Sequence, residues 1–122
     1  MVIRGIRGAI TVLHDTPEEV LQATSELLKT IHKENDFQVE DIASIFFTVT
    51  ADIKSVFPAR AARSMGWDLV PLLCFQEIEV PGALPRCIRV LVQINTQKSQ
   101  EEIKHIYLKD AWKLRQDLMN NN

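Results

Sequence analysis

"CIRVLVQI", residues 87–94, sets apolar β-branched side chains at alternate positions. Ile88, Val90, Val92 and Ile94 share one face at the two-residue period of a half-buried strand. Arg89 stands on the other face, between Cys87 and Leu91. A guanidinium keeps its proton at any ordinary pH, so burying it without an anion is costly. The stretch therefore describes a strand with one face on a core and the other face awaiting a partner.

Working outward, residues 2–13 alternate in the same way and form a first strand. Thr16-Pro17-Glu18-Glu19 then starts a helix, with a Thr cap, Pro in the first helical position and Glu three residues after the cap. The helix runs to about Asn35, with Val20, Leu21, Thr24, Leu27, Leu28 and Ile31 as its core stripe. "SIFFTVT", 44–50, is a second strand. Pro58 opens a short helix that Gly66 terminates. Residues 69–80 form a third strand, "PGALP" at 81–85 is a turn, and residues 86–95 are a fourth strand, expected as the hairpin partner of the third. Ser99 to Glu102 repeats the capping-box pattern and predicts a second long helical segment from about residue 100. "YLKDAWKLR" fits a helix or a short final strand, and the tail from about 117 is expected to be flexible.

This order gives an α+β fold in which a mixed sheet carries its helices on one face. The uncovered face would hold Arg7, Arg89, Gln93 and glutamates among apolar residues, too hydrophobic for water and too charged for a simple core. Packing against identical copies would bury it and place charged groups at subunit boundaries.

The chain of 122 residues is read as a single domain, 1–122, large enough for a core without disulfide or metal staples. A net charge of −2 offers no electrostatic case for nucleic acid or a membrane surface. No apolar run approaches the roughly 20 residues that span a bilayer. The alternating N-terminus reads as a strand and not as a signal peptide, so Cys74 and Cys87 are expected to be reduced thiols in the cytoplasm. Three scattered histidines and two cysteines show none of the close zinc spacings.

The arginines favour strands, strand ends and the short helix. If their strands are neighbours, Arg7 and Arg89 converge on one pocket and repel unless Glu77 or a bound anion joins them. An Arg-Glu pair that merely ties strands together explains the same residues equally well. Arg60 and Arg63 lie three apart, on one helix face, beside a start where Phe57 cannot cap the free N–H groups. That combination suits an anion. Phe57 could wall a flat carbon ring. Cys74 and Glu77 have opposite parity in a regular strand and share a pocket only through a bulge or across a subunit boundary. Cys74 is otherwise a buried structural thiol, and Tyr107 offers its hydroxyl to the pocket or to solvent. Nothing forms a nucleophile-base pair, a phosphate loop or a metal cage.

Taken together, "IRGIRGA" (3–9), "FPARAAR" (57–63), "GWDLVPLLCFQE" (66–77), "CIRVL" (87–91) and "HIYL" with "LR" near the end closely resemble the AroH-class chorismate mutases of the Bacillus type, in order and over almost the whole chain. The resemblance implies conversion of chorismate to prephenate, the committed step toward phenylalanine and tyrosine, with no cofactor. It also implies a homotrimer whose three sheets form a pseudo α/β barrel, with active sites between subunits. Carried across by motif, Arg7, Glu77, Arg89, Tyr107, Leu114 and Arg115 line one side of each site. Phe57, Ala59, Arg60, Arg63, Leu73 and Cys74 approach from the neighbouring chain, with Arg89, Glu77, Arg7 and Cys74 nearest the chemistry. Two positions depart from the family: Arg60 stands where lysine is common, and Gln116 where proline is common. A non-enzymatic trimer binding a small carboxylate, and the small trimeric imine deaminases, are the alternatives.

Overall fold

In the computed structural model, which describes residues 1–114, the "CIRVLVQI" stretch opens the central strand of a five-stranded sheet. The strands are β1 (Val2–Thr11), β2 (Ile42–Val49), β3 (Leu72–Gln76), β4 (Cys87–Thr96) and β5 (Ile106–Tyr107), in the order β3-β2-β4-β1-β5. β4 runs antiparallel to both neighbours, whereas β3 is parallel to β2 and β5 is parallel to β1. Among the described residues, two helices, α1 (Pro17–Asn35) and α2 (Ala59–Ser64), and three single 3-10 turns accompany the sheet, and residues 112–114 are helical as well.

The alternation in β1, β2 and β4 points Ile6, Ile10, Ile45, Phe47, Ile88, Val92 and Ile94 into one core with Leu27, Leu28 and Ile31 of α1. All ten are fully buried, and each contributes about 1.5–3 kcal/mol of transfer free energy. The Thr16 hydroxyl accepts from Glu19 N–H at 3.2 Å, and Asp36 ends α1 in the left-handed region at φ 49°. Leu21 sits only half-buried beside the expected stripe, which Ala23 and Asn35 complete. Gly8 lets α1 lie close on β1: a Cβ there would stand 2.7 Å from Ile31 Cδ1 and 3.1 Å from Val90 Cγ2.

Three expectations are corrected. The third strand covers only Leu72–Gln76, because Pro71 precedes it and residues 77–80 leave the sheet. It is not the hairpin partner of the fourth. β2, α2 and β3 form a parallel crossover, and the connection from 77 to 86 strides over the end of β2 to reach β4. The Ser99 capping box does form, with Ser99 N–H donating to Glu102 at 2.9 Å, but the helix stops after one turn, Gln100–Glu102. Asn35 then grips the backbone of Lys104 with two bonds, at 2.8 and 2.9 Å, and turns the chain into β5 instead. The ambiguous segment after it holds both: a two-residue strand, then a 3-10 turn, Lys109–Ala111, that leads into helical residues 112–114. No helix is long and apolar enough to cross a membrane among the described residues.

The sheet face away from the helices is open. Leu73, Phe75 and Leu91 are 57, 48 and 36 % exposed on it, beside Ile3 at 59 %.

Candidate active site

Strand register assembles the open face into rows. Tyr107 pairs with Ala9, Ala9 with Arg89, Arg89 with Thr48, and Thr48 with Phe75, so these five side chains form one row across the sheet. The next row runs from Arg7 through Leu91 and Phe46 to Leu73. Arg7 and Arg89 are thus diagonal neighbours on one face, a relation that places Cα atoms roughly 7–8 Å apart. Tyr107 and Arg89 are two strands apart, about 10 Å, with only the Ala9 methyl between them.

Glu77 lies just past β3, where its N–H donates to Val49 C=O at 2.8 Å. Its Oε2 stands 3.5 Å from Arg89 Nε, with the side chains 28 and 42 % exposed. Arg89 Nε is itself buried and has no hydrogen-bond partner among the described residues. The pair balances charge without consuming the fork of the guanidinium, and exposed pairs of this kind add no more than about 1 kcal/mol to stability. Beneath it, Ala9, Cys87 and Ala111 form a small apolar floor against Leu84, Tyr107 and Leu114. Burial pushes the Cys87 thiol up, and the Arg89 cation beside it acts in the opposite sense.

A second constellation lies elsewhere. A cavity of about 540 Å³ is lined in part by Phe57, Arg60, Arg63 and Cys74. Both arginines are exposed on α2, and Phe57 is 73 % exposed at its approach. Cys74 pairs with Phe47 and so faces α2, where burial pushes its thiol up while the Ala59 N–H and the Arg63 charge pull it down. The residue in the cap position is Pro58, one later than expected. Phe57 instead supplies the carbonyl that accepts Arg60 N–H at 3.1 Å. The loop before it is held by Asp15, which accepts from Lys54 and Ser55 N–H at 2.9 and 3.1 Å.

Of the residues singled out in sequence, Arg7, Glu77, Arg89, Tyr107 and Leu114 therefore gather on the open face, and Phe57, Ala59, Arg60, Arg63 and Cys74 gather around α2. Leu73 points to the open face, away from Cys74. Cys74 and Glu77 do lie on opposite sides of the sheet, as their parity demands. Arg115 and Gln116 fall outside the described residues, as does the tail from 117. Cys87 shares the face of Arg89 at a spacing of two, as parity gave it. Two neighbours escaped sequence reasoning. Ala9 matters for its smallness. His105 accepts Arg7 N–H on Nδ1 at 2.9 Å, a contact that no spacing announces.

The family model described as chorismate mutase type I matches residues 3–118. The chorismate mutase AroH of Thermus thermophilus is 52 % identical over 118 residues, covering 96 % of this chain and 97 % of that protein. The corresponding AroH protein of Bacillus subtilis (strain 168) is 47 % identical, covering 97 and 94 %. A solved chorismate mutase from Clostridium thermocellum superposes with a TM-score of 0.88 at 48 % identity, covering 89 % of this chain and 97 % of its own.

Proposed function

Because the chain belongs to the type I chorismate mutase family and is a chorismate mutase, an isomerase of aromatic amino-acid biosynthesis, we propose that it converts chorismate to prephenate by orienting the dianion and stabilising negative charge on the ether oxygen. The reaction is intramolecular: one C–O bond breaks as one C–C bond forms, with no proton to move and no covalent intermediate. The task left to the protein is geometric and electrostatic.

Arg7 and Arg63, with Arg115 from the tail, clamp carboxylates and hold the enolpyruvyl arm over the ring, so the reacting carbons meet without a search. Arg89 faces the ether oxygen, where a fixed cation is worth more in the transition state than in the ground state. Glu77 balances the cations and accepts from the ring hydroxyl. Phe57, Leu73 and Leu114 bound the ring, Tyr107 closes the far side of the row, and Cys74 and Ala59 bring α2 with Arg60 up to the substrate.

Completion of the site by a second copy is supported by the separation of the two constellations and by the apolar residues left open on the sheet. In the homotrimer each copy gives its open face to one site and its α2 edge to another, and the three sheets close into the barrel-like core. Both cysteines are free, which fits a reducing cytoplasm.

The observation that carries the mechanism is Arg89 Nε, buried, without a hydrogen-bond partner among the described residues and 3.5 Å from Glu77. The test is the absorbance of chorismate in cofactor-free buffer. First-order conversion to prephenate supports the reading, and binding without turnover would mark a carboxylate-binding protein instead.

A further inference from the structure

β5 is two residues long, yet it must hold Tyr107 in a row with Arg89. Isolated rungs of this kind are weak. Two further bonds extend them. Leu108 N–H donates to Ala9 C=O at 2.9 Å on one side of Tyr107. On the other side, Arg7 N–H donates to His105 Nδ1 at 2.9 Å. The imidazole stands where a strand carbonyl would otherwise serve, so a side chain lengthens the ladder and does so at the backbone of Arg7.

We propose that His105 is a positioning residue for the rearrangement: by accepting Arg7 N–H it fixes β5 to β1, sets Arg7 and Tyr107 at a constant separation, and releases both when Nδ1 takes up a proton. The inference rests on Arg7 as a carboxylate clamp, and it assigns His105 no contact with substrate.

An Nδ1 that accepts implies hydrogen on Nε2, the neutral ring. A protonated ring has two donors and nothing to offer an N–H. Burial, with the Arg7 charge second, lowers the His105 pKa from its ordinary value of 6.5, so the acceptor is intact at neutral pH. The charge that bears on the ring comes from Arg7 of β1. α1 contributes the neutral Asn35, bonded to Lys104, and the charged residues of its own segment are Glu101, Glu102 and Lys104 before it and Lys109 and Asp110 after it. The sign follows from linkage. With the folded pKa below the unfolded one, the contact contributes fully above about 6.5 and is lost as pH falls through the folded value.

The test compares the pH dependence of kcat/KM for chorismate in wild type, His105→Asn and His105→Leu. Asparagine places Oδ1 where Nδ1 stands and cannot titrate. His105→Asn should keep neutral-pH kcat/KM within about twofold and lose the wild-type acid limb, whereas His105→Leu should lose about five- to tenfold at neutral pH, mainly through KM, the equivalent of one hydrogen bond. An acid limb that persists unchanged in His105→Asn overturns the proposal, even if His105→Leu fails to fold. So does a His105→Leu enzyme indistinguishable from wild type. Arg7→Ala separates the levels. Unchanged KM there sinks the clamp itself, whereas raised KM in Arg7→Ala with wild-type behaviour in His105→Leu sinks this inference alone.

Discussion

Glu77 stands beside Arg89 without holding it: Oε2 to Nε is 3.5 Å, longer than a hydrogen bond. A carboxylate fixed closer would spend the guanidinium fork on the protein. At this distance it lowers the cost of keeping a cation in the sheet and leaves the fork free for substrate.

Arg89→Ala should therefore retain the fold and lose roughly 3 kcal/mol or more of transition-state stabilisation, on the scale of a removed oxyanion donor. Arg89→Lys keeps the charge but not the planar fork, and should be badly impaired too. Single-turnover rates on chorismate measure both. Near-normal turnover by Arg89→Ala removes the ether-oxygen assignment.

Arg63 belongs to the other constellation and, in the proposed mechanism, grips a carboxylate present before and after the bond breaks. Uniform binding of that kind appears in KM, so Arg63→Ala should raise KM about tenfold or more and hold kcat within about threefold. Steady-state kinetics decide. A collapse of kcat at unchanged KM contradicts the division of labour between the two arginines.

Gly8 tests the fold beneath the site. An added methyl meets Ile31 Cδ1 at 2.7 Å and Val90 Cγ2 at 3.1 Å, so α1 must shift or the side chains repack. Gly8→Ala should cost about 1–3 kcal/mol. Thermal unfolding of the variant should show a lower midpoint, and an unchanged one means the α1 contact is looser than its distances state.

Period made β1, α1 and β4 readable, because Ile88, Val90, Val92 and Ile94 or Leu27, Leu28 and Ile31 announce which face is buried, whereas β2 showed by its β-branched and aromatic composition and α2 by Pro58 and Gly66 at its ends. Partner choice is not written in period. β3 looks like the natural hairpin mate of β4 in sequence, yet the connection from Glu77 to Arg86 is too long for a tight turn, and α2 delivers β3 parallel to β2. The Ser99 capping box correctly marked a helical turn and said nothing of its length, since Asn35, some seventy residues upstream, redirects the chain at Lys104. In the site, the charged residues stood out by type. Ala9 and His105 did not, because one acts by being small and the other through a bond that exists only once β5 lies on β1.

Leu73 and Cys74 are consecutive residues that look to opposite sides of the sheet, and the arginine clusters divide along the same line. A chain crippled at Arg89 still carries a sound α2 edge, and one crippled at Arg63 still carries a sound open face. In the proposed trimer, every ring assembled from both kinds would have one seam where the intact halves meet. Two inert preparations, unfolded and refolded together, should thus recover a share of the activity that neither regains alone.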